Sequence, residues 1–227
     1  VLIYKSSEVF NFAHGQMVMV GAYLTWFFAG GTSQDENMPI DLPFFVAVIL
    51  AIVIAVLIGL LIERFALRPM TGQPLLSIIL MTLGLALLLD GVTTLTFGTQ
   101  PKGFPSPINS IDTFTFPNPF ANEATPVFLQ NITVLQARLA TFVVAIVVAI
   151  AFIIFFNYTN IGLSMRATSE DHELARSVGI KVQQVFGLSW GIAGIVATLG
   201  GILLAMLTGV SINLALVALV ALSLIHI

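Results

Sequence analysis

Three groups of residues carry side chains that could do chemistry. The first is Asn11-Phe-Ala-His14-Gly15-Gln16, at the edge of a long apolar run. Asparagine is a favoured helix cap, and a helix starting there presents free N–H groups and partial positive charge. Ala13 and Gly15 are small enough to let a ligand or a neighbouring helix reach the backbone. His14 can donate or accept a hydrogen bond. Two readings stay open. In one, the helix starts at membrane depth and holds a substrate carboxylate, as broken transporter helices do. In the other it is an interfacial cap with His14 among the headgroups, which periodicity alone favours.

The second group lies on LALLLDGVTTLT, where Asp90 is an acid inside an apolar run. An intramembrane carboxylate is costly and marks a functional candidate. Its nearness to the outer end leaves a blander reading, in which it faces water or bonds to Thr93 or Thr94. Thr82-Leu-Gly84, half-way along the same run, would permit a bend or a close helix contact.

The third group is the polar stretch 157–185. Thr168 and Asp171 have the spacing of a capping box, and Glu170, Asp171 and Glu173 put negative charge at the start of a short helix. Arg176 suits its last turn, and Gly179 supplies a stop. Leu174, Ala175 and Val178 would form a small apolar face on that helix. Such a face docks onto a partner or packs on its own bundle.

Enzymatic alternatives find little support. His14 and His172 stand on different segments, and there is neither a Gly-x-Ser-x-Gly elbow nor a His-x-x-x-His pair. The chain has no cysteine. It also lacks the G-x-x-x-x-G-K-[ST] phosphate loop, so it does not bind ATP in that way. An ion-coupled carrier would want several buried ionisable groups, and Asp90 is the one available. No catalytic residue and no metal site is expected.

The elements that must position these residues are membrane helices. The 227 residues are 58% hydrophobic and only 8% charged, against roughly 25% charged in a soluble domain. Runs near the 20 residues needed to cross hydrocarbon occur at 12–29, 43–62, 75–96, 139–156 and 186–208. A sixth begins near Leu214, and Val1–Tyr4 is compatible with the tail of an earlier one. The fold class is all-α, a polytopic transmembrane bundle forming one domain over 1–221. Residues 222–227, LSLIHI, resemble translated sequencing-adapter read-through, and the chain reads as a fragment truncated at both ends.

Alternating the segments places Lys5, Arg64, Arg68, Arg166, Arg176 and Lys181 on one side, and Lys102 and Arg138 on the other with Asp35, Glu36, Asp41, Asp112 and Glu123. The basic side is cytoplasmic by the positive-inside rule. Segment 97–137 becomes an external loop, and six of the ten prolines lie in it, so it is extended, not helical. Segment 157–185 becomes a cytoplasmic loop. Small residues in 186–208, with Gly187 and Gly191 followed by Ala193, Ala197, Gly201 and Ala205, predict close helix packing within the bundle.

Glu173-x-Ala175-xxx-Gly179 resembles the EAA coupling loop of ABC-importer permeases. NFAHGQMVMVGAY, ERFALRPMTGQP and MRATSEDHELARSVGI, in that order, are similar to the permeases for branched-chain amino acids, more closely their H-type membrane subunit. The resemblance runs from about Phe10 to Ala221. Two departures stand out: Ser189 and Gly191 replace the tail of the general EAA motif, and Gln16 stands where the family usually carries glutamate. The resemblance implies import of leucine, isoleucine and valine by alternating access. It also implies a sister permease subunit, two ATP-binding cassette subunits holding ATP and Mg, an external substrate-binding protein, and a bacterial or archaeal inner membrane. Together with the readings above, it puts Asn11, His14, Gly15, Gln16, Thr82, Gly84 and Asp90 on the substrate path. Arg166, Glu170, Asp171, Glu173, Ala175, Arg176 and Gly179 go to coupling with the ATPase subunit. Permeases for urea, short amides or aromatic acids resemble the same pattern.

Overall fold

The computed structural model describes residues 11–30, 40–70, 73–107, 112–117 and 131–225. Lys5, Asp35, Glu36, Glu123, Pro119, Pro126 and His226 lie outside them. The helices are α1 (His14–Phe28), α2 (Phe44–Ile62), α3 (Leu75–Phe97), α4 (Gln136–Tyr158), α5 (Asn160–Glu170), α6 (His172–Ser177), α7 (Val182–Thr208) and α8 (Asn213–Ile225). Between α3 and α4, strands β1 (Thr113–Pro117) and β2 (Asn131–Leu135) pair antiparallel, Thr113 opposite Leu135. The proline-rich segment is therefore extended, as its composition requires.

Helix α1 is the centre of the bundle and packs against α2, α3, α7 and α8. Tyr23, Met19, Ala22 and Trp26 are almost completely buried. Hydrophobicity gives helices no reason to associate in lipid, so close packing must do it, and small residues permit that. Helix α7 supplies them: Gly187, Gly191, Ala193, Gly194, Ala197, Gly201 and Ala205 are all buried. A Cβ on Gly194 would come within 2.6 Å of the Ala55 carbonyl oxygen, and one on Gly201 would run into the Val18 carbonyl. The small-residue stripe thus packs inside the bundle, as expected from the sequence.

Hydroxyl groups inside the bundle turn back on their own helices. Thr25 donates to the Gly21 carbonyl, Thr93 to Leu89, Ser189 to Val185 and Thr198 to Gly194, all at 2.7–2.9 Å. Where no water reaches, this satisfies the hydroxyl without a second helix.

Four helical stretches among the described residues are long and apolar enough to cross a membrane: Phe44–Met70, Leu76–Phe97, Gln136–Tyr158 and Val182–Thr208. The expectation for 12–29 needs correction. Helix α1 has 15 residues, about 22 Å at 1.5 Å per residue, against roughly 30 Å of hydrocarbon. It starts late because Asn11 closes a turn ahead of it. The Asn11 carboxamide oxygen accepts from Ala13 N–H at 3.1 Å, and its carbonyl accepts from His14 N–H at 3.2 Å.

The C-terminal end of α1 is tied to its neighbours. Leu42 N–H donates to the Phe28 carbonyl, joining the end of α1 to the start of α2. Lys102 and Val210 exchange two backbone hydrogen bonds at 2.8 and 2.9 Å, and the Lys102 ammonium sits 4.4 Å from the Trp26 ring centroid.

Candidate functional site

Polar atoms without partners concentrate on one helix. Among the described residues, the buried side-chain atoms lacking a hydrogen-bond partner are Asn11 Nδ2, His14 Nδ1, Gln16 Oε1, Tyr23 Oη and Trp26 Nε1. All belong to α1 or the turn before it. Buried polar groups are nearly always paired, because leaving one unpaired costs about 1–3 kcal/mol. Their concentration along α1 and the turn before it makes this the candidate region for meeting a polar group. Sequence reasoning named Asn11, His14 and Gln16 but missed Tyr23 and Trp26, which in isolation look like ordinary apolar packing residues.

The other proposed path residues separate. Gly15 is buried where α1 crosses α8, against Ala215 and Leu219. Thr82 is buried and donates to the Ile79 carbonyl at 2.9 Å. Gly84 faces open space, with nothing among the described residues within 4 Å of an added Cβ. Of the bend or close contact that Thr82-Leu-Gly84 would permit, the close contact is not made at Gly84 among the described residues. Asp90 is half-buried. Of the blander readings, the bond to Thr93 is not formed, since that hydroxyl already donates to the Leu89 carbonyl at 2.7 Å.

At the basic end, α2 continues into a π-helical turn, Glu63–Leu67, and a 3₁₀ turn, Arg68–Met70. Glu63 is buried and receives both arms of Arg68, Nε to Oε1 and Nη2 to Oε2, each at 3.3 Å. The spacing is five residues, which an α-helix would not bring face to face but a π turn does. Gly187 at the start of α7 lies beside the Glu63 carboxylate. No helical periodicity in the sequence announces this pair.

Segment 157–185 folds as two short helices, not one. Thr159 is the cap of α5, its hydroxyl accepting from Gly162 N–H at 3.0 Å. Gly162, Met165 and Thr168 form its buried face. Thr168 was expected to open a capping box. It lies instead inside α5, fully buried, and donates to the Ser164 carbonyl at 2.8 Å. The chain breaks at Asp171, which is extended (φ −156°, ψ 117°), and the Asp171 carboxylate caps α6 by accepting from Leu174 N–H at 2.9 Å. Glu173 falls within α6. Gly179 ends it with φ +86°, the left-handed region where a Cβ is penalised. Gly179 N–H bonds to the Arg176 carbonyl and Ile180 N–H to the Ala175 carbonyl, both at 3.0 Å, the pattern of a Schellman motif.

The apolar face of α6 is split. Ala175 is buried, whereas Leu174 and Val178 are 64% and 70% exposed. Arg166, Glu170, Asp171 and Arg176, on α5, the break and α6, are exposed as well. Arg166 reaches the Asn157 side chain at 3.4 Å.

Comparison with known proteins fits this layout. The sequence profile described as "Branched-chain amino acid transport system / permease component" matches residues 1–226. The chain belongs to that family. Its curated relatives include the high-affinity branched-chain amino acid transport system permease proteins LivH of Salmonella typhimurium and of Escherichia coli K12. Each is 28% identical over 212 residues, covering 92% of this chain and 65% of the relative. BraD of Pseudomonas aeruginosa, described in the same words, is 24% identical over 209 residues with the same coverage. The chain therefore spans 65% of the length of these relatives. No solved structure gives a significant match. As a member of the permease family built on these apolar helices, it is a multi-pass membrane protein.

Proposed function

We propose that this chain is a membrane-spanning permease subunit of an ATP-driven importer, and that it carries the branched-chain amino acids leucine, isoleucine and valine inward across a bacterial inner membrane. The observation that carries the reading is the exposed pair Leu174 and Val178 on α6. Leaving two large apolar side chains in water is unfavourable by about 25 cal/mol per Å² of apolar surface. A helix that does so, while closed at both ends by a carboxylate cap and a Schellman stop, is suited to docking. The charged residues around the pair suit a groove on a cassette ATPase, with Glu173, Ala175 and Gly179 forming the core of the coupling element.

The division of labour follows. ATP and Mg sit on two cassette subunits, substrate arrives from an external binding protein, and a sister permease subunit completes the path as a heterodimer. This chain supplies packed helices that switch between two orientations. The names of its relatives, permease proteins of branched-chain amino acid systems, support the substrate class. Removing the chain from its host should abolish high-affinity uptake of labelled leucine, and restoring it should bring uptake back. Loss of urea uptake with leucine uptake intact would move the substrate to the amide class.

A further inference from the structure

The C-terminal end of α1 is crossed by a piece of chain that is not helical. Gly98 ends α3 with φ +80° and ψ −178°, a region of backbone space open to glycine. Nothing among the described residues lies within 4 Å of a Cβ built there, so the turn is uncrowded. The chain then reaches the α7–α8 turn, where Lys102 and Val210 exchange both backbone hydrogen bonds, at 2.8 and 2.9 Å. Gly209 adjoins that bridge, and a Cβ on it would come within 2.9 Å of the Lys102 carbonyl oxygen. The Lys102 ammonium sits 4.4 Å from the centroid of the Trp26 ring. Phe104 packs on the cluster that holds Tyr23, Trp26 and Val210. It also meets the Phe44 ring edge-on at the start of α2, with centroids 6.1 Å apart. Pro101 and Pro105 fix two φ angles along the segment, which stiffens it. Residues 98–106 thus form a strap from the end of α3 across α1 to α2 and the α7–α8 turn.

Two polar groups beside the strap are left unsatisfied by this arrangement. Tyr23 and Trp26 are almost completely buried, and neither the Tyr23 hydroxyl nor the Trp26 indole N–H has a hydrogen-bond partner. Both rings contact Phe97, the residue before Gly98. Buried hydroxyls such as those of Thr25 and Thr198 bond to their own helices. A tyrosine hydroxyl stands too far from its own backbone to do the same. Burial without a partner is unfavourable, so the closed arrangement carries a cost that water or a polar ligand would remove.

The end of the bundle that carries Lys102 is the external one by the distribution of basic residues. A solute entering from that side meets the strap first. We propose that residues 98–106 are an outer gate, shut in this structure, and that lifting the strap off Val210 and Trp26 admits the amino acid from outside. The proposal rests on the transport reading above and adds to it the element that moves. Opening breaks two backbone hydrogen bonds and one cation–π contact, but no helix. The swing falls on Gly98, at the end of an element, where hinges are commonly placed. The Tyr23 hydroxyl and the Trp26 N–H then become available to the polar groups of the entering molecule.

The test uses the intact permease containing this chain, assembled with its cassette subunits in proteoliposomes and supplied with leucine-loaded binding protein. Residues that exchange both bonds of an antiparallel bridge have Cα atoms about 5.5 Å apart, a separation that a disulfide spans. The chain has no native cysteine, so Lys102→Cys with Val210→Cys locks the strap on oxidation. ATP-driven uptake of labelled leucine by the oxidised pair is compared with uptake by the same pair reduced, with cross-linking followed by mass spectrometry. A fall of fivefold or more, reversed by dithiothreitol, supports the gate. A smaller fall at complete cross-linking overturns it. Should the reduced pair fail to assemble or transport, Phe44→Cys with Phe104→Cys decides. That pair is bridged by a short bifunctional maleimide and compared with the pair capped by N-ethylmaleimide, and the same two outcomes apply. Absence of leucine uptake in wild type is a different failure, that of the transport reading itself.

Discussion

The Phe97 ring lies on the Tyr23 ring with planes 21° from parallel, while Trp26 and Phe27 meet Phe97 edge-on. This aromatic knot pins the last turn of α3 to α1. Phe97→Ala should cost about 3 kcal/mol of stability, and Phe97→Leu about half of that. Unfolding in mixed micelles measures both. A loss under 0.5 kcal/mol for the alanine variant would mean that the stack does not hold the helices together.

Gly201 and Gly200 are neighbours with opposite surroundings. A methyl on Gly201 would collide with the Val18 carbonyl, whereas nothing lies within 4 Å of one on Gly200. Backbone cannot yield as a side chain can, so Gly201→Ala should destabilise by about 1–3 kcal/mol. Gly200→Ala should be neutral or stabilise by up to about 1 kcal/mol, because alanine favours the helix. The contrast is read from the two unfolding midpoints, and equal midpoints would contradict the α1–α7 packing.

Removing Arg68 leaves the buried Glu63 carboxylate without its partner. A fully buried pair broken in this way loses about 3–5 kcal/mol. Arg68 is 42% exposed, so solvent screening reduces the expected loss to about 1–2 kcal/mol. The double variant Glu63→Gln with Arg68→Ala should be more stable than Arg68→Ala alone. A double-mutant cycle tests this, and strictly additive losses would show that the two groups do not interact.

Tyr23 of α1 stacks on Phe97, the last residue of α3; from that level α1 runs back to His14 and α3 to Leu75. At 1.5 Å per residue the start of α1 lies about 20 Å short of the start of α3. His14 is thus expected inside the membrane, not among the headgroups. The chain has no native cysteine, so His14→Cys and Ser177→Cys give clean single labels. A membrane-impermeant maleimide applied from the cytoplasmic side should react at least tenfold more slowly at position 14 in the resting state. Comparable rates would return NFAHGQ to an interfacial cap.

Much of this architecture was legible in the sequence because its signals are local. Apolar runs of the right length became α2, α3, α4 and α7, and Gly179 became a stop because a short polar helix preceded it. Errors arose where a local pattern had two solutions or the deciding partner was remote. Thr168-x-x-Asp171 has cap spacing, yet Thr159 began the helix earlier and drew Thr168 inside. Gly84 invited a contact that only the rotation of α3 could grant or deny. The Glu63–Arg68 pair depends on a π turn that no α-periodic reading anticipates. Tyr23 looked like core until its hydroxyl was found without a partner.

The central claim is that α6 delivers the energy of ATP to a path for amino acids. Leu174→Glu with Val178→Glu, made in the assembled permease and reconstituted in proteoliposomes, tests it most directly. Both positions are exposed, so the fold should survive with an unchanged unfolding midpoint. ATP-driven leucine uptake should fall at least tenfold, and the cassette subunits should no longer co-purify with the chain. Full leucine uptake with cassette subunits still bound would contradict the account.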